Sequence, residues 1–382
     1  MTFLLILGIS TVTLFISAFL GKKSNLPILI FYIFAGILIS NLYDIGNDIK
    51  LFSEIGIVIL FFYLGLEFNI ERVFFTAKRI WAAGLIDLFF NFLIVFILLI
   101  SLSYDLIVAL AMAGITYASS SAITTKIIID NHRIANSETE FILGLMVFED
   151  IIAPILVALI AAYSVGSEPS SAITLSVLAK IFVVIGLTLL IAKFAKNHLS
   201  KFVEKYLSDE ILTLFIFGIV ILAAGISHNI GLSEALGAFL VGLIIAETGK
   251  SHQIQNLVVP IRDIMISYFF FIFGSEIIFK FNFDSFAILT LVLLLIVSII
   301  GKLLTGIIGG RLYGLSNRRS AISGLSIINR GEFSIAISQY IGISFFPLIS
   351  IYIFLIAILG TLTAQFAPRI AKFFVKSTQN KN

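Results

Sequence analysis

The stretch Glu140-Phe-Ile-Leu-Gly-Leu-Met-Val-Phe-Glu149-Asp150-Ile-Ile-Ala-Pro154-Ile-Leu-Val-Ala-Leu-Ile-Ala-Ala-Tyr163 is long and apolar, yet two adjacent carboxylates stand near its middle. A helix that crosses a bilayer takes about 20 such residues. An ionisable side chain at its centre costs about 2.5 to 3.5 kcal/mol on insertion scales, so Glu149 and Asp150 each call for a partner or a task. Helix neighbours are turned about 100° from one another, which lets the two face different partners across one cavity. Two anions with little water between them repel, and loading one with a proton or a cation relieves the repulsion.

Composition extends that reading to the whole chain. Of 382 residues, 59% are hydrophobic and 12% charged, against roughly a quarter charged in soluble domains. That identifies an all-α membrane protein with room for roughly twelve to fourteen spans and no sizeable soluble domain. The absence of Cys and the presence of only 4 His exclude thiol redox chemistry, disulfides and the common zinc sites. Function must therefore use carboxylates, cations, hydroxyls and backbone. The net charge of +3 is small, with basic residues at helix ends, which indicates topology and not nucleic acid. Phe3 to Leu20 lacks a preceding basic region and a small-residue cleavage site, and reads as a retained helix.

Apolar runs between charge clusters predict about thirteen transmembrane helices. Most of the 25 Lys and Arg fall in every second loop, among them Lys22 and Lys23, Arg72 to Arg79, Lys193 to Lys205, Arg311 to Arg319 and the tail from Arg369. Cytoplasmic loops hold such residues, so the N-terminus is expected outside and the C-terminus inside the cell membrane.

The chain also repeats itself. Leu26 to Gly36 aligns with Leu232 to Gly242, Phe61 to Glu67 with Phe270 to Glu276, and Gly114 to Ser121 with Gly324 to Gly331, all at an offset of about 206 to 210 residues. A step of seven helices inverts the second copy, the layout of many secondary transporters with a site at the midplane. The expected division of this single transporter domain is residues 1–165 and 208–368, with a linker helix at 172–194.

Polar positions at mid-depth mark the remaining candidates. Thr116-Tyr-Ala-Ser119-Ser120-Ser121 and its repeat mate Ile328-Asn-Arg330-Gly-Glu332-Phe333 both break the apolar pattern. Matching polar breaks predict interrupted helices whose carbonyls and hydroxyls could hold a hard cation, because unwound backbone is tolerated only beside a cavity. Lys302 follows Gly301 midway along its span and is expected to pair with Glu149. Arg330 and Glu332 read as structural charges that neutralise half-helix ends. Asp87, Lys180, Glu54, Glu67 and Glu276 are placed nearer helix ends, where surface exposure or local pairing accounts for them. The four His lie in loops or at helix ends, which argues against a histidine proton relay.

Gly144-Leu-Met-Val-Phe-Glu149-Asp150, the Gly231 to Glu247 run, Phe269 to Glu276 and Asn329-Arg-Gly-Glu-Phe333 resemble the monovalent cation:proton antiporters, in the branch of Kef-type potassium exchangers and related sodium/proton exchangers. The likeness spans essentially the whole chain. It implies crossed, interrupted helices and a homodimer in which a core domain moves past a dimerisation domain. By position, Asp150 resembles the carboxylate that holds cation or proton in turn. Glu149 matches the preceding site, often Asp in sodium exchangers and Gln in Kef-type ones, and Lys302 resembles the lysine that pairs with it. Ser119 and Ser120 look Kef-like. Kef-type chains often carry a nucleotide-binding domain. This chain has no Gly-x-Gly-x-x-Gly, so such regulation is expected to be absent or to live on a separate regulatory subunit.

The expectation is a secondary antiporter that trades a monovalent cation, Na+ ahead of K+, for H+, with no cofactor. Asp150 would bind the cation when ionised, aided by Thr116, Ser119, Ser120 and nearby carbonyls. A cation channel needs a continuous polar path, whereas the polar positions here gather at one depth. Intramembrane aspartyl proteolysis needs two carboxylates facing one another from separate helices, and Glu149 and Asp150 are chain neighbours.

Overall fold

The computed structural model describes residues 3–24, 27–42, 47–67, 80–165, 179–193, 209–277 and 284–374, apart from single positions 182, 189, 231 and 343. The start of the expected linker helix and the cations Arg72, Lys78, Arg79, Lys196, Lys201, Lys205, Lys280, Lys376 and Lys381 lie outside them. The described residues contain helices and no strands. They are α1 (Phe3–Ser24), α2 (Ile28–Ser40), α3 (Asn47–Glu67), α4 (Ile80–Ser101), α5 (Leu106–Tyr117), α6 (Ser121–Asp130) and α7 (Ser137–Val165), followed by α8 (Asp209–Asn229), α9 (Glu234–Ala246), α10 (Ser251–Ser275), α11 (Ser285–Tyr313), α12 (Asn317–Ser326), α13 (Glu332–Ser338) and α14 (Phe346–Phe374). Among them, α1, α3, α4, α7, α8, α10, α11 and α14 are long and apolar enough to cross a bilayer, and α2, α5 and α9 are shorter apolar helices.

Local chemistry sets many of these boundaries. Ser120, Ser233, Asp284 and Ser316 cap the N-termini of α6, α9, α11 and α12 by accepting a hydrogen bond from the backbone N–H three residues on. Gly314 ends α11 in the left-handed region at φ +102°, where a side chain would be strained.

The chain forms two units. One comprises residues 1–20, 31–74 and 154–276. Its helices meet at backbone distance: a Cβ on Gly242 would lie 2.2 Å from the Phe62 carbonyl oxygen, and one on Gly274 would lie 2.0 Å from that of Ile33. Small residues permit such approach, which supplies packing where lipid offers no hydrophobic drive. Gly242→Ala must part α3 from α9, and we expect it to destabilise the protein by about 1–3 kcal/mol. Thermal melts of the purified protein in detergent check this, and an unchanged melting temperature contradicts it.

The other unit comprises residues 21–30, 75–153 and 277–382. Its apolar core includes Ile80, Ala83, Phe141, Ile142, Leu145 and Ile327. All of the expected site residues belong to this unit.

Candidate functional site

Two helices of this second unit are interrupted. After Tyr117 the chain is extended at Ala118 (φ −78°, ψ 130°) and Ser120 (φ −79°, ψ 111°), then resumes as α6. Between α12 and α13, residues 327–331 leave the helix. The breaks lie against one another: the Ser120 N–H donates to the Asn329 carbonyl and to its side-chain oxygen, both at 3.2 Å, and Ser119 Oγ donates to the Ile327 carbonyl at 2.9 Å.

Opposite charges meet the opposite helix ends. The Arg330 guanidinium, fully buried, donates from Nε to the Thr116 carbonyl at 3.0 Å and from Nη1 to the Ile328 carbonyl at 2.8 Å. The Thr116 oxygen lies in the last turn of α5 and the Ile328 oxygen just past the end of α12, where a helix carries partial negative charge. Glu332 opens α13, and its carboxylate accepts from Ser120 Oγ at 3.1 Å and Ser121 Oγ at 3.2 Å, beside the positive N-terminus of α6. Thus each broken end has a charge or a hydroxyl against it.

Beside the crossing lies an ion cluster. Lys302 Nζ donates to Glu149 Oε1 at 3.0 Å, and to Asp87 Oδ1 at 2.9 Å and Oδ2 at 3.0 Å. All three side chains are 0% exposed. Glu149 also accepts from the Ser119 N–H through Oε2 and from Ser119 Oγ at 3.2 Å. The Tyr117 ring lies under the ammonium, 5.6 Å from Nζ to its centroid. Thr116 Oγ1 donates to the Asn91 and Ala113 carbonyls, each at 2.9 Å. Asp150, one residue on from Glu149, is only half-buried, and Pro154 has no N–H to offer its carbonyl.

The placement of Asp87 corrects the sequence reading. It was expected near a helix end with surface or local pairing, whereas it lies inside α4, fully buried, with both oxygens on Lys302. The usable signal was charge balance: one internal lysine has three N–H donors, and Asp87 stands seven residues into an apolar span where few anions are affordable. Glu276 does pair locally, with Lys50 at 2.9 Å on the surface, and Lys180 donates to the Ile230 carbonyl at 3.2 Å. The structure sets Ser119 on Glu149 and Ser120 on Glu332. Among the described residues no group of three or more His, Cys, Asp or Glu is arranged to hold a metal ion.

Residues 9–375 match the family described as "Sodium/hydrogen exchanger, transmembrane". The chain belongs to this exchanger family. Its members are cation/proton antiporters, transporters and not enzymes. This exchanger is 34% identical over 373 residues to the ammonium/H+ antiporter subunit AmhT of Alkalihalophilus pseudofirmus, covering 97% of this chain and 95% of that one. It is 32% identical to the K+/H+ antiporter subunit KhtU of Bacillus subtilis, covering 97% and 94%. The Na+/H+ antiporter of Enterococcus hirae is 26% identical over 98% of this chain and 99% of its own. In fold, the exchanger matches the sodium proton antiporter MjNhaP1 of Methanocaldococcus jannaschii with a TM-score of 0.68, 17% identity and complete coverage of both chains.

Proposed function

We propose that this exchanger moves a monovalent cation across the cell membrane against protons, and that both compete for Asp150. The observation that carries this reading is the contrast between neighbours: Glu149 is sealed and paired, while Asp150 beside it on α7 keeps partial exposure. Asp150 as a residue retains some exposed surface although its Oδ1 is buried, so it lies nearer an accessible boundary than Glu149 does. Loaded with cation or proton it is neutralised and able to cross, whereas a bare anion at the bilayer centre costs about 2.5 to 3.5 kcal/mol. Glu149 then turns from Lys302 to help hold the arriving cation, with Thr116, Ser119, Ser120 and carbonyls of the breaks close by.

Sodium is the cargo the sequence favours. AmhT and KhtU, at 34% and 32% identity, are named for ammonium and K+, so we place K+ and ammonium beside Na+. Two inverted repeats are part of the proposal. The close crossing of α2 with α10 and that of α9 with α3 use aligned glycines, Gly36 with Gly242 and Gly65 with Gly274, and exchanging the copies maps one crossing onto the other. About thirteen spans, an external N-terminus and a cytoplasmic C-terminus follow from the distribution of basic residues. We further propose a homodimer and a regulatory subunit on a separate chain, since AmhT and KhtU are both named as subunits.

Purified protein in vesicles, given a pH gradient and then Na+, K+, Li+ or ammonium in turn, should collapse the gradient with at least one of them. No collapse with any cation overturns the proposal. Voltage-driven current far above turnover rates would establish a channel in its place.

A further inference from the structure

Lys302 has three N–H bonds and three carboxylate oxygens within reach, and two of the three belong to Asp87. A structural pair needs one carboxylate per cation, and a surplus buried anion is costly, so the second carboxylate asks for its own explanation. Asp87 is held in place. Asn91 Nδ2 donates to its Oδ1 at 2.9 Å and to its backbone carbonyl at 3.2 Å, and the same nitrogen meets Thr305 Oγ1 at 3.2 Å. Each of the two helices widens to i→i+5 turns just past its charge, at Phe89–Leu93 after Asp87 and at Thr305–Gly309 after Lys302. Such turns recur at functional sites because they re-aim side chains. A Cβ on Gly301 would stand 2.6 Å from Asn91 Oδ1, so the two helices touch through this support.

A cation that arrives at Glu149 meets the Lys302 ammonium already on Oε1, and the two positive charges repel strongly in a poorly hydrated space. An ammonium with no other acceptor would have to be driven off at full cost. Here it keeps its two contacts with Asp87. We infer that Asp87 is a positioning residue of the exchange: it is a second seat for Lys302, which retains the ammonium when Glu149 turns to the incoming cation and so weakens the competition that the cation meets. The charged groups around this seat are Lys302 and Glu149 in contact, with Asp150 and Arg330 within electrostatic range of the cluster, and the neutral Tyr117 phenol is the titratable group beside them. The inference rests on the exchange reading above and deepens it.

Cation affinity of the full-length purified protein, read from the rise of melting temperature with Na+ and K+ concentration, tests it without requiring turnover. Vesicle assays give KM and kcat in parallel. Asp87→Asn leaves Lys302 wholly on Glu149, and should raise the cation Kd and KM by about tenfold or more with a smaller change in kcat. Asp87→Glu should return Kd towards the original value. In a Lys302→Gln background, Asp87→Asn should add nothing, since a residue that acts through Lys302 has no effect without it. An unchanged Kd in Asp87→Asn overturns the inference, and so does an equal rise in the Lys302→Gln background, which would show Asp87 acting as bulk charge. Should Asp87→Asn fail to fold, Asn91→Ala decides: it loosens Asp87 while leaving every charge in place, and has to raise Kd in the same direction. Absence of exchange by the unaltered protein sinks the exchange reading instead. Exchange with a cation Kd indifferent to these changes sinks the second seat alone.

Discussion

Asp150→Asn should abolish cation-triggered collapse of a pH gradient in vesicles, lowering the initial rate by about 100-fold or more. Asn has nearly the same shape but takes up no proton near neutral pH and carries no charge to hold a cation, so both halves of the competition vanish together. The fold should survive. Asp150 is half-buried, and the buried ion cluster runs through Glu149, Lys302 and Asp87. The melting temperature is therefore expected to correspond to a change of less than about 1 kcal/mol. Exchange at the original rate in the Asn variant would refute the assignment, because Asp150 is the carboxylate proposed to take cation and proton in turn.

The second large effect concerns stability. Arg330→Leu removes the donors that satisfy the Thr116 carbonyl at the end of α5 and the Ile328 carbonyl past the end of α12. It also leaves the two negative helix ends without a facing charge. Orphaned buried carbonyls cost about 1–3 kcal/mol each, and removing one partner of a buried charged network costs about 3–5 kcal/mol. Marginal stability is of similar size, so the variant should yield little monodisperse protein in detergent. Lys at the same position should rescue only partly. A compact ammonium cannot fork between two carbonyls as a planar guanidinium does. A Leu variant that melts like the original would show that the crossing holds itself together by other means.

The two breaks were readable from one dimension. Thr116 to Ser121 and Ile328 to Glu332 stand out as polar runs at matching places in an apolar background, and the helices do stop there. Their mutual arrangement was not readable. Ser120 N–H meets Asn329, a residue 209 positions away, and Ser119 holds Glu149 through both its N–H and its hydroxyl. Thr116 was singled out for its hydroxyl, yet that hydroxyl faces the Asn91 carbonyl, while its own carbonyl receives Arg330. Asp87 was misread because it was judged by its distance from a helix end, whereas what matters is which way it faces and what stands opposite.

Hydropathy is local and nearly additive, since each residue's transfer free energy depends little on its neighbours. From that alone the chain declares itself a multi-span membrane protein, places two acids mid-span at 149 and 150, sets Lys302 inside a span and marks where two helices break. Partnership is neither local nor additive. Whether Lys302 serves one carboxylate or two depends on the azimuth and depth of α4, α7 and α11, with Asp87 and Lys302 215 residues apart, and those quantities exist only once the helices have packed.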